Sequence, residues 1–278
     1  MVMPFRKNLP NKTGCVSEVT FEGSYPRAVS SALEAIQAAP VLRKQSRILV
    51  KPNLINASPP PITTPVACVA AVVDYIREHA PLSEVIVAEG CGAKDAETGD
   101  IYRELGYGDF ASDNDVELLD LNYEKTVTLR DARCSVFPEF HLPRIAQESF
   151  ILSVPVLKAH TLAEVTLTMK NMLGFAPPAY YDTGGWKKSA FHARIQQSIL
   201  ELNKYRSPDL SVLDATVGMP EGHLGGSPSN PPINRILTSF DPVALDAAGS
   251  SLLDIDWRKV GHIADARGTL GNVPEATE

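Results

Sequence analysis

Residues 150–178, FILSVPVLKAHTLAEVTLTMKNMLGFAPP, constrain the fold more than any other stretch of the chain. Phe150-Ile151-Leu152-Ser153-Val154 is an apolar run of strand length, as expected for a strand buried on both faces. Pro155 cannot donate to a ladder, so the strand is expected to end there. Lys158 and His160 follow at once. Thr161, with Glu164 three residues later, matches a capping box and predicts a helix starting at Leu162. Leu162, Val165, Met169, Met172 and Leu173 then share one helical face, and Gly174 suits the C′ stop. In an open α/β sheet, ligands bind outside the carboxyl ends of the strands, where helix N-termini offer N–H groups to anions. Lys158 and His160 therefore mark a candidate anion site. A continuous helix would carry Lys170 about 12 Å along its axis, at ~1.5 Å per residue. The two lysines could then share a ligand only if the helix is broken or the ligand is long. Lys170 also has a plainer reading, as a last-turn cation complementing the helix dipole.

Other strand ends carry polar groups too. Residues 46–50 read as a buried strand ending in Lys51-Pro52-Asn53. Thr64 and Pro65 suit the N-cap and N1 positions of a helix over 66–78. Residues 84–88 form a strand followed by Glu89-Gly90-Cys91-Gly92. A dinucleotide fingerprint needs a third glycine leading into a helix, and Lys94-Asp95-Ala96 breaks it. Residues 116–121, 125–129 and 133–137 read as strands. Residues 209–213 form a strand with Asp214 at its end, before a glycine-rich loop holding Glu221 and His223. Residues 234–239 are a strand, and Asp241-Pro242 opens a helix over 243–253, Asp241 serving as N-cap. This alternation predicts the α/β class, with a mixed, mostly parallel open sheet and helices on both faces. The whole chain reads as one such domain. It has a loose arm at 1–14, a polar tail at 272–278, and a loop at 177–189 able to serve as a lid.

Composition removes several function classes. A net charge of −7 without a basic run speaks against nucleic acid, Lys187-Lys188 being only a pair. The four cysteines are scattered and form no C-x-x-C, which speaks against a ferredoxin-type cluster or a zinc ribbon and suits a reducing cytoplasm. No apolar run reaches membrane-spanning length, so no membrane partner is expected. Neither a G-x-S-x-G elbow nor a P-loop is present. His160, His192, Glu221 and His223 are metal-ligand types, but no spacing fixes a metal geometry.

The pieces K-P-N-L at 51–54, V-P-V-L-K-A-H at 154–160, K-N at 170–171, L-G at 173–174, E-G at 221–222 and D-P-V-A-L-D at 241–246 resemble the family catalogued as domain of unknown function 362. The resemblance runs over about residues 46–271. Many members add a ferredoxin-like cysteine motif that this chain lacks, so the iron–sulfur cofactor does not carry over and the cofactor stays open. The resemblance implies a fold and a set of positions, not a reaction. A looser resemblance, carried by the Lys158/His160 pair, is to the lactate racemase family, whose members bind a nickel-pincer cofactor through Lys and His.

The leading expectation is an enzyme for a small anionic metabolite bearing a carboxylate or phosphate. His160, Lys158, Lys170 and Asn171 are the candidate catalytic residues, with His160 as acid/base. Lys51, Asn53, Glu221 and Asp246 are the candidate cofactor-binding residues. The alternatives are a non-catalytic metabolite or cofactor carrier and a partner subunit of a redox complex. Homo-oligomerisation is left open.

Overall fold

The computed structural model of the chain describes residues 14–222 and 224–273; the arm 1–13, His223 and the tail 274–278 lie outside the described residues. The strands are β1 (Ser17–Thr20), β2 (Arg47–Pro52), β3 (Glu84–Glu89), β4 (Glu117–Asp120), β5 (Thr126–Arg130), β6 (Glu139–Pro143), β7 (Phe150–Val154), β8 (Val156–His160), β9 (Glu164–Thr166), β10 (Leu210–Met219) and β11 (Arg235–Ser239). One sheet runs in the order β1-β11-β10-β7-β2-β3-β4, with β8 on β10 and β9 on β8; β5 and β6 form a separate hairpin. The centre is parallel, from β10 through β7, β2 and β3 to β4, and the β1–β11–β10 edge is antiparallel.

The central strands are apolar on both faces, and their residues divide between two cores. In β2, Ile48 and Val50 pack into one core and Leu49 into the other. Helices Tyr25–Ala35 and Val66–His79 cover the first face; Ile195–Tyr205 and Pro242–Leu252 cover the second. This is the doubly covered, mostly parallel sheet that the strand–helix alternation predicts. Among the described residues no helix is long and apolar enough to cross a membrane. Cys15, Cys68, Cys91 and Cys134 are all free thiols.

The largest departure lies in the stretch that best predicts the fold. No helix starts at Leu162. Instead β8 turns back at once as β9, pairing Lys158 with Thr166 and His160 with Glu164. Two local causes can be named. The N–H groups of Leu162 and Ala163, which a helix would have needed capped, both donate to His160 Nδ1 at 3.1 Å. Glu164, expected as the capping-box acid, takes a left-handed φ of 63° that closes the turn. Helix starts only at Thr168, where the Thr168 and Met169 N–H groups donate to the Asp246 carboxylate at 2.8 and 2.9 Å, and after Asn171 it continues as a 3-10 turn over Met172–Phe175.

Three smaller readings also change. Thr64 does not cap the helix beginning at Val66. Its hydroxyl accepts the Asn53 N–H at 2.8 Å and donates to Val154 O at 2.7 Å, tying together the ends of β2 and β7. Residues 133–137 are not a strand, because the N–H groups of Ser135, Val136 and Phe137 donate to the Glu201 carboxylate rather than to a ladder. Asp214 lies inside β10, where it accepts from Tyr25 Oη at 2.9 Å. Asp241 does cap its helix, accepting from the Val243 and Ala244 N–H groups.

Candidate functional site

The carboxyl ends of β2, β3 and β8 open onto a cavity of about 280 Å³. Pro155 lets the chain pass from β7 into β8 without leaving β10, which pairs with both strands. The β8–β9 hairpin therefore projects past the sheet edge and forms one wall. Because the chain doubles back there, Lys158 and Lys170 line the same cavity, and the separation imposed by a continuous helix disappears.

Five lysines line it, Lys51, Lys158, Lys170, Lys188 and the exposed Lys94, against the single carboxylate of Glu89. Lys51 is fully buried and donates to Glu89 Oε1 at 2.7 Å and to Asn171 Oδ1 at 3.2 Å. The Glu89 carboxylate also accepts the Leu54 and Gly90 N–H groups at 2.9 and 2.8 Å. Burial lowers Lys51, and the Glu89 charge opposes the fall. Lys158 donates to Asn53 Oδ1 and Ile62 O, both at 2.6 Å. Burial first, and then the Lys170 charge, bring Lys158 down to about 7. Lys188 donates to Asn122 Oδ1 at 2.8 Å and Ala176 O at 2.6 Å, and burial brings it to about 7. Lys170 is partly accessible, and burial alone lowers it to about 8. A second cavity of about 240 Å³, beside β1, offers only Glu22 and Arg27 as charged groups.

The neutral members are equally specific. Asn171 Oδ1 accepts from Lys51 and from Asn53 Nδ2, while its Nδ2 donates to Ser153 Oγ at 3.0 Å and Lys51 O at 3.2 Å. It thus braces the lysine wall. Gly174 is required by close approach, since a Cβ there would collide with Glu89 Oε1 and Lys51 Cε. Thr166 Oγ1 is buried in the cavity wall with no hydrogen-bond partner among the described residues. His160 and His192 both line the cavity, and both use Nδ1 as an acceptor. His160 takes the two turn N–H groups, and His192 takes Trp186 Nε1–H at 3.1 Å. A neutral ring held in this way carries its proton on Nε2.

Of the residues singled out in the sequence, the fold brings together Lys51, Asn53, Lys158, His160, Lys170 and Asn171. Glu221 and Asp246 do not line the cavity. Glu221 is exposed and accepts the Ser227 N–H at 3.2 Å. Asp246 is fully buried beneath the 168–171 turn, so it positions Lys170 from behind. Burial raises its carboxyl to about 7 against the pull of those two N–H donors. Lys188 belongs to the site although its sequence context, a lysine pair in a loop, gives no hint of it. The same loop brings Gly185 and Trp186 to the cavity, and Lys187 anchors it by donating to Glu97 at 2.9 Å and Ala96 O at 2.7 Å.

A nickel-bearing cofactor, as the lactate racemase resemblance implies, needs imidazole lone pairs for the metal. The Nδ1 lone pairs of His160 and His192 are occupied, and the described residues include no group of three or more His, Cys, Asp or Glu side chains placed to hold an ion. The lining carries more lysines than carboxylates.

Known proteins agree with this architecture. The lactate racemase apoprotein from Thermoanaerobacterium thermosaccharolyticum shares the fold, with a TM-score of 0.55 at 11% identity over 88% of this chain. The chain spans only 58% of that structure's length. A thylakoid-associated protein of Synechocystis sp. is 27% identical over 246 residues, covering 84% of this chain and 70% of the relative. The family model for a domain of unknown function (DUF362) matches residues 48–251, most of the chain, and the chain belongs to that family.

Proposed function

We propose that the protein is an enzyme acting on a small organic anion held at the carboxyl edge of the sheet. The observation that carries this reading is the charge imbalance of the cavity. Lys51 and Glu89 neutralise one another, which leaves Lys158, Lys170 and Lys188 without a carboxylate of their own. Burying three cations in one small space costs free energy that a bound anion would recover. The depressed lysines are the electrostatic record of that cost. A ligand carboxylate or phosphate would accept from Lys170 and Lys158, with His160 beside them in the lining.

The same arrangement supports proton transfer near neutrality. Lys158 and Lys188 titrate where an amine can both give and accept a proton, so either can act as the acid/base. In this reading His160 is a neutral hydrogen-bond donor rather than the base. The lactate racemase whose fold the chain shares is named for a small carboxylate, and ligands of that size are the first to try.

The test is native mass spectrometry of the full chain purified without chelator, followed by calorimetric titration with lactate and with inorganic phosphate at pH 7. A retained anion, or binding that disappears in a Lys158→Met, Lys188→Met double variant, supports the reading. Binding that survives the double variant refutes it.

A further inference from the structure

Beside its lysines the cavity has an apolar part, lined by Leu54, Ile55, Leu173, Trp186 and Leu224, with the exposed Lys94 also in the lining. Trp186 and Leu224 are 48% and 50% exposed, and few large apolar side chains among the described residues are exposed to that degree. Trp186 is not a loose surface ring. Its Nε1–H is fixed on His192 Nδ1, and Lys187 next to it is tied to Glu97 and Ala96 O, so the indole is held at the opening. Space points the same way. A volume of about 280 Å³ has room for several waters. An inorganic phosphate or a lactate would fill a minor part of it, leaving water against apolar walls.

We propose that the ligand is an amphipathic organic anion, with its acidic group among Lys158, Lys170 and Lys188 and an aromatic or branched apolar group against Trp186, Leu224, Ile55 and Leu173. This inference rests on the anion reading above and adds the class of substituent. The volume lies near the lower end of the ~300–1,000 Å³ of small-molecule sites, which suits a single ring or a short branched chain as the apolar part.

The experiment is calorimetric titration of the full chain with probes matched in head group: lactate against 3-phenyllactate, and inorganic phosphate against phenyl phosphate. The aryl member of each pair is expected to bind about 10- to 100-fold more tightly, the gain from burying one ring. Trp186→Ala and Leu224→Ser, both at exposed positions, are expected to shrink that ratio towards one. If the small anions bind and the aryl members bind no better, the substituent class is wrong and the anion reading stands. If the ratio is present but unchanged in both variants, the assignment of the apolar part is overturned. If none of the four probes binds the folded protein, the anion reading fails, and this inference fails with it.

Discussion

Replacing Lys170 by Met separates the cost of the site from its use. Lys170 differs from its neighbours because burial alone acts on it, whereas Lys51, Lys158 and Lys188 each donate to acceptors that truncation would orphan. The unfolded chain holds this amine at its ordinary 10.5 and the folded chain at about 8. The sign follows from linkage. A lysine lowered by folding destabilises the native state fully below its folded value, and the penalty fades as pH rises from the folded value to the unfolded one. At pH 7 the difference sets an upper bound of about 3 kcal/mol, at ~1.4 kcal/mol per pH unit. Water reaching the partly accessible amine screens part of this, so the expected gain in Lys170→Met is about 1–2 kcal/mol. Urea unfolding at pH 7 and pH 10 measures it, and the gain should be largely gone at pH 10. Binding of lactate or phosphate should weaken about 10-fold or more with one cation removed. A destabilised variant at pH 7, or a gain that does not change with pH, would refute the account of the site as a store of uncompensated positive charge.

Affinity for lactate, whose carboxylate stays ionised throughout, should fall about 10-fold or more between pH 7 and pH 9, because Lys158, Lys170 and Lys188 lose protons there and the anion must restore them; a flat profile by calorimetry would exclude their participation. Glu89→Gln should cost about 3–5 kcal/mol by leaving Lys51 buried without its counter-charge, read as a lowered Tm. Gly174→Ala should cost about 1–3 kcal/mol and disorder the Lys51–Glu89 pair, since its methyl group has no space; an unchanged Tm would show that the two side chains can move aside.

Much of this site was legible from residue type and position. Lys51, Asn53, Lys158 and His160 stand at or just past strand ends, and a parallel sheet gathers such ends on one edge. The turn after His160 was misread for a physical reason. A capping box describes how a helix start can be satisfied, but it cannot exclude a nearby imidazole meeting the same N–H groups first. Residues 133–137 failed similarly, their donors claimed by Glu201 from a distant helix. Asp246 has the residue type of a ligand group and the location of a brace, and only its buried contacts with Thr168 and Met169 distinguish the two. Lys188 could not be found from the sequence, because what makes it part of the site is the path of a loop that returns to Asn122 and Ala176.

The β8–β9 hairpin has a consequence for how such a protein can diversify. It hangs from β10 at the sheet margin, and β9 pairs with β8 alone. Residues 158–174 nonetheless supply Lys158, His160, Thr166, Lys170, Asn171, Leu173 and Gly174 to the cavity. A short contiguous segment thus supplies a large part of the cavity lining, while its apolar residues Ala159, Ala163, Val165, Leu167, Met169 and Met172 pack into the core on that side of the sheet. The exposed Thr161-Leu162 tip is where this segment can change length without disturbing that packing. Lining and core residues alternate along the rest of it, so a shared architecture need not mean a shared substrate.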